Sequence, residues 1–134
     1  MPRIFALAFL LLAVLHLHWA FGGHWPAPDS RSLARLVVGG QDRMPSRFAC
    51  TLVALGLLLP LPALLAPKAL PPGVASWILW GTALVLLLRG VTGLFETRLR
   101  PAILGDPYAH WNARLYSPFC LILALGLMLT ALTR

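Results

Sequence analysis

The side chains able to do chemistry in this chain of 134 residues gather in three short groups. His16, His18, Trp19, His24 and Trp25 close one long apolar stretch, Arg89 and Glu96 lie towards the end of another, and His110, Trp111, Arg114, Tyr116 and Ser117 open a third. Arg89 is the most telling of them. It sits inside an apolar run, where a charge costs at least about 2.5–3.5 kcal/mol and therefore usually turns towards a bundle interior and a partner. Arg89, Gly93 and Glu96 recur at i, i+4 and i+7 and share one helical face. Two readings are open: contact with an anion or lipid head group, or a snorkelling arginine paired structurally with Glu96.

The histidines raise metal and haem chemistry. His16 and His18 point about 200° apart around a helix axis, so they do not form a compact chelate. A zinc site needs three or four convergent ligands, and the chain has only four acids to contribute. A haem clamped by His16 or His18 from one helix and His110 near another is the redox alternative; the expectation is no cofactor, no metal and a colourless protein. Ser117 has no base beside it in sequence, and its Ser-Pro setting is that of a helix start. Cys50 and Cys120 lack C-x-x-C or zinc spacing and read as small packing residues. Phosphate-cradling glycine loops, H-E-x-x-H and G-x-x-x-G are all missing from the sequence.

These groups must be positioned by membrane-length helices. Hydrophobic residues make up 59% and charged residues 11%, too little charge to cover a soluble surface. One domain is expected, an all-α membrane protein with four transmembrane helices in an up-down bundle, at about residues 4–21, 48–66, 74–95 and 115–133, each near the length that crosses a bilayer. Met1-Pro2-Arg3 resembles the start of a signal peptide, but the long apolar run ending in His and Trp argues for a retained helix. Asp29-Ser30 predicts a short helical turn through Leu33 to Val38, closed by Gly39-Gly40. Pro60 and Pro62 predict a kink. Asp106-Pro107 predicts a cap and first turn of a short interfacial helix, with Tyr108, Trp111 and Leu115 as its aromatic underside, and Ser117-Pro118 a second cap with a bend.

Charge sets the expected orientation. The net charge is +7, but the basic residues lie between apolar blocks, with no groove-reading motif, so nucleic acid is not expected as a partner. Four crossings put Arg3, Lys68 and Arg134 on one side and Arg31, Arg35, Arg43, Arg47, Arg98, Arg100 and Arg114 on the other. The positive-inside rule then places both termini outside and both long loops in the cytoplasm. Ten arginines to one lysine, with abundant Leu, Ala, Gly and Pro, suggest a GC-rich bacterial genome and an inner-membrane location.

Three segments resemble one bacterial membrane family, domain of unknown function 3995. His16-Leu17-His18-Trp19-Ala20-Phe21-Gly22-Gly23 is similar to its His-x-x-Trp-Ala-x-Gly-Gly helix ending, Arg89-Gly90-Val91-Thr92-Gly93 to its third-helix segment, and Leu115-Tyr116-Ser117-Pro118-Phe119-Cys120-Leu121 to its fourth-helix start. The matching positions are His16, Trp19, Gly22, Gly23, Arg89, Tyr116, Ser117, Pro118 and Cys120. His18 stands where relatives carry an aromatic residue, and Phe119 where they carry Leu. The resemblance implies the fold and the place of a site, not an activity.

The candidate ligand-binding residues are thus His16, Trp19, Arg89, Glu96, His110, Tyr116 and Ser117, converging on the loop-rich end. Arg89 is expected to face His16, Trp19 and Tyr116, with oxygens from Tyr116 and Ser117 and countercharge from Glu96. The leading expectation is non-enzymatic binding of a lipid or small molecule, or support of a membrane protein partner. A membrane enzyme or redox subunit using His16 and His110, and a small transporter working as an oligomer, are the alternatives.

Overall fold

Proline opens two of the four long helical stretches, at Pro2 and Pro107, because proline at a helix start gives up only an N–H that would be unpaired anyway. The computed structural model describes residues 1–134 and is helical throughout, without strands. Helix α1, Pro2–Ala20, carries Pro2 in its first turn. The following loop holds α2, Ser30–Val37, where the Asp29 carboxylate accepts the Ser32 N–H at 2.8 Å. The predicted turn is therefore a complete short helix, and its Leu33 and Ala34 are buried where it packs on α7, Pro107–Trp111.

Helix α3, Arg47–Leu58, is capped by the Ser46 hydroxyl, which accepts the Ala49 N–H at 3.1 Å. It runs through Leu59, whose backbone stays helical, into α4, Pro60–Leu65. A turn at Pro67–Ala69 leads to α5, Val74–Leu94, and then to the short α6, Glu96–Leu99. After α7 the chain makes a π-helical turn, Asn112–Tyr116, and enters α8, Ser117–Leu132.

Four stretches are long and apolar enough to cross a membrane: Pro2–Ala20, Arg47–Leu65, Val74–Leu94 and Pro107–Leu132. The short helix expected ahead of the fourth crossing is α7, continuous with α8 through the π turn. The two cap signals fare differently. Asp106 is the N-cap residue of α7 and Pro107 its first residue, as expected, but the Asp106 carboxylate accepts the Gly40 N–H at 2.7 Å and not an N–H of α7. Ser117 is not a cap at all but a fully buried residue inside the continuous helix.

Neighbours in sequence are neighbours in space: α1 packs on α3 and α4, α4 on α5, and α5 on α8, while α1 and α8 close the ring. Phe9, Leu64, Leu79, Leu123 and Leu127 form the shared core. Contacts at the two ends fix an up-down order. Arg134, past α8, donates to the Ala63 and Leu64 carbonyls at the end of α4. At the other end, Arg100 beyond α5 donates to the Gly39 carbonyl in the loop after α1 at 3.0 Å.

Candidate functional site: a polar cluster between α5 and α8

Glycine lets α5 and α8 meet closely enough for side chains to hydrogen-bond between them. A Cβ at Gly93 would collide with the Ser117 hydroxyl and the Arg89 guanidinium, and one at Gly90 would lie 2.6 Å from Leu121. The π turn supplies the facing residues. In a regular α-helix, Asn112 and Ser117 at i, i+5 would point about 140° apart. Here the Ser117 N–H reaches the Asn112 carbonyl, five residues back, and both side chains face α5. Pro118 gives the reason: it has no N–H for the carbonyl four residues earlier and its ring crowds that carbonyl. A π turn takes up the misfit, where a bend was expected.

Asn112 is the hub. Its Oδ1 accepts from Arg89 Nη2 at 3.0 Å and from the Ser117 hydroxyl at 3.0 Å. Its Nδ2 donates to the Gly93 carbonyl at 2.8 Å and to Glu96 Oε2 at 2.9 Å. Both donors and both lone pairs of the amide are thereby used, as its 2% exposure requires. Tyr108, one turn earlier on the same face, accepts from Arg89 Nη2 at 2.9 Å and donates to Glu96 Oε2 at 2.7 Å. Arg100 donates to Glu96 Oε1 at 2.6 Å.

The electrostatics are lopsided. Glu96 is already taken up by Arg100, Tyr108 and Asn112, and lies 4.0 Å from Arg89 Nη1. Two arginines against one carboxylate leave one positive charge in excess. Arg89 Nη2 is locked, whereas its Nε and Nη1 make no hydrogen bond inside the chain, and its side chain is 39% exposed.

The loop after α1 is strapped over this cluster. Gly39 and Gly40 both have φ of +71°, a left-handed conformation that favours glycine, and a Cβ at Gly39 would lie 2.6 Å from the Tyr108 ring. Arg100 holds the Gly39 carbonyl, Asp106 the Gly40 N–H, and the Tyr116 hydroxyl donates to the Leu36 carbonyl at 3.1 Å. Nearby, Arg31 and Arg35 pair with Asp42 at 2.8 and 2.7 Å. Their hydrogen bonds, that from Arg35 first, hold the Asp42 carboxyl below the usual carboxylate range.

The expected residues therefore divide. Arg89, Glu96 and Ser117 belong to the cluster, Ser117 through Asn112. Tyr116 does not touch Arg89; its ring lies 6.0 Å from that of Tyr108 and its hydroxyl serves the strap. His16 shares a hydrogen bond with the Leu12 carbonyl of its own helix at 2.8 Å and meets Trp19 edge-on at 4.9 Å. Trp19 donates to the Trp25 carbonyl at 2.8 Å. His110 is exposed, edge-on to Trp111 at 5.4 Å. No group of three or more His, Cys, Asp or Glu side chains converges. The direct partners of Arg89 are instead Tyr108 and Asn112, because these two, at i and i+4, face inward while Trp111 and Leu115 are exposed. Their spacing before Ser117-Pro118 was the available signal. Reading Tyr108 with Trp111 and Leu115 as one apolar face hid it.

The family model described as "Protein of unknown function (DUF3995)" matches residues 9–127. The chain belongs to that family. The matched region contains the whole Arg89 cluster and the strap, so these are features of a DUF3995 domain and not of a tail beside it. Among curated proteins and solved structures, nothing matches the chain.

A second feature lies on the other side of α8. Ala8, Leu11, Leu12, Val14 and Leu15 of α1, with His18, Trp25 and Phe119, line an open apolar groove of about 680 Å³.

Proposed function

We propose that this DUF3995 chain is a bacterial multi-pass inner-membrane protein that binds an anionic group without transforming it, at Arg89. One observation carries the reading: in an otherwise satisfied polar cluster, Arg89 Nε makes no hydrogen bond inside the chain and the side chain is 39% exposed, beside a carboxylate already taken by others. Glu96 is shared between two arginines, at 2.6 Å from Arg100 and only 4.0 Å from Arg89 Nη1. Ser117 donates to an amide and not to a base, and His16 is engaged by its own helix. With Nη2 held, the guanidinium is fixed in place and its Nε is left as a single charge-assisted donor for phosphate or carboxylate.

The binding test uses the purified full chain in detergent, melted with and without phosphatidylglycerol. The anionic lipid should raise the melting temperature of the natural chain and raise that of Arg89→Lys much less. An equal rise with phosphatidylcholine, or an undiminished rise in Arg89→Lys, would overturn the reading.

The charge bias of the loops supports a cytoplasmic location for the cluster, with both termini outside. A reporter active only outside the cytoplasm should be active after Arg134 and silent at Gln41; the opposite pattern would refute this orientation.

A further inference from the structure

The path by which a ligand reaches Arg89 is marked by what surrounds it. Towards the loops the way is closed. Glu96, with its side chain 15% exposed, Tyr108 and the Gly39-Gly40 strap stand there, and the strap is held at three points by Arg100, Asp106 and Tyr116. Towards α8 it is also closed, by the tight glycine contacts at Gly90 and Gly93.

The remaining flank opens sideways. On α5, Val85 and Thr92 lie at i−4 and i+3 from Arg89, in the same stripe. Val85 is 65% and the adjacent Leu88 56% exposed, and Thr92 is exposed. Thr92 turns its hydroxyl back to the Leu88 carbonyl at 2.7 Å and presents its methyl group outward. This is a bilayer-facing surface on a helix apolar enough to span a membrane, with one cation at its edge.

Resting on the anion-binding reading, we infer that the ligand of Arg89 is an anionic lipid arriving laterally from the bilayer, a phosphate oxygen on Nε and its acyl chain along Val85 and Leu88. The chemistry of the contact is shared with free phosphate; the direction of approach is not. A water-borne anion would have to pass the strap and the Glu96 carboxylate, whereas a lipid head group diffuses along the membrane surface to the open flank. The excess positive charge of the Arg89–Arg100–Glu96 group, with the exposed Arg98 in α6 and Arg114 in the π turn, favours an anionic head group over a zwitterionic one.

The test is lipid retention by the full chain in nanodiscs of mixed phosphatidylglycerol and phosphatidylcholine, read by native mass spectrometry. Inorganic phosphate is added in a parallel arm using pure phosphatidylcholine nanodiscs, read by protection of the chain against melting. Phosphatidylglycerol should be retained preferentially, phosphate should not protect, and Val85→Trp, on the exposed face where folding is undisturbed, should cut retention about tenfold, the loss expected for a strong charged contact. Asp106→Asn, which loosens the strap, should leave retention unchanged. If phosphate protects and Val85→Trp is without effect, the lateral lipid is refuted while anion binding stands. If neither phosphatidylglycerol nor phosphate binds, both inferences fall.

Discussion

Helix α8 makes two joints of opposite character. Against α5 it is closed and polar: Gly90 and Gly93 admit Leu121 and Ser117, and Asn112 satisfies every group it meets. Against α1, at the same end of the bundle, it is open and apolar, lined by leucines and Phe119, with about 680 Å³ between the helices. The contrast teaches where specificity comes from in a membrane. Lipid tails are as apolar as leucine, so burying leucine between helices gives little preference for one geometry; close backbone approach and interhelical hydrogen bonds do. The α5–α8 joint has both, and it holds the arginine.

The contrast can be broken most severely at its hub. Asn112→Ala removes one of the two acceptors of Arg89 Nη2, the acceptor of the Ser117 hydroxyl, a donor to the Gly93 carbonyl and one bond to Glu96, and should cost about 2–3 kcal/mol, the sum of several interhelical bonds of about 0.6 kcal/mol and the orphaned groups left behind. Unfolding in mixed micelles by denaturing detergent measures it, and a loss under half that value would mean that Asn112 is not the keystone. Gly93→Ala should come next, at about 1–2 kcal/mol, because its Cβ must push Ser117 or Arg89 aside; the same unfolding assay applies, and a neutral result would show a looser joint. Phe119→Ala, on the open side, should cost less than about 1 kcal/mol, since a lipid chain refills the space. A larger cost would mean that the groove is a packed joint after all, and the contrast would fail.

The fold was legible in sequence because each crossing is a long apolar run punctuated by proline, glycine and basic residues. The site was half legible. Arg89 announced itself through the cost of its burial, and Glu96 and Gly93 through helical spacing. Asn112 and Tyr108 were hidden because their role depends on a π turn. Ser117-Pro118 looks like the start of a helix, and only in the folded chain does Pro118 disturb an existing helix so that Asn112 and Ser117 share a face. Asp106-Pro107 marked the start of α7 correctly, but the Asp106 carboxylate found a tertiary donor at Gly40, and no local pattern reports a contact 66 residues away.

The account stands on the claim that Arg89 Nη2 is locked by Asn112 and Tyr108 while Nε is free to bind. Nitrogen-15 spectra of arginine side chains in the full chain address that claim directly. The Arg89 guanidinium should show slowed rotation of its Nη groups in neutral lipid, and its Nε signal should shift when phosphatidylglycerol is added. In Asn112→Ala the rotation should become fast. A guanidinium that rotates freely in the natural chain, or an Nε signal that ignores the anionic lipid, would contradict the account.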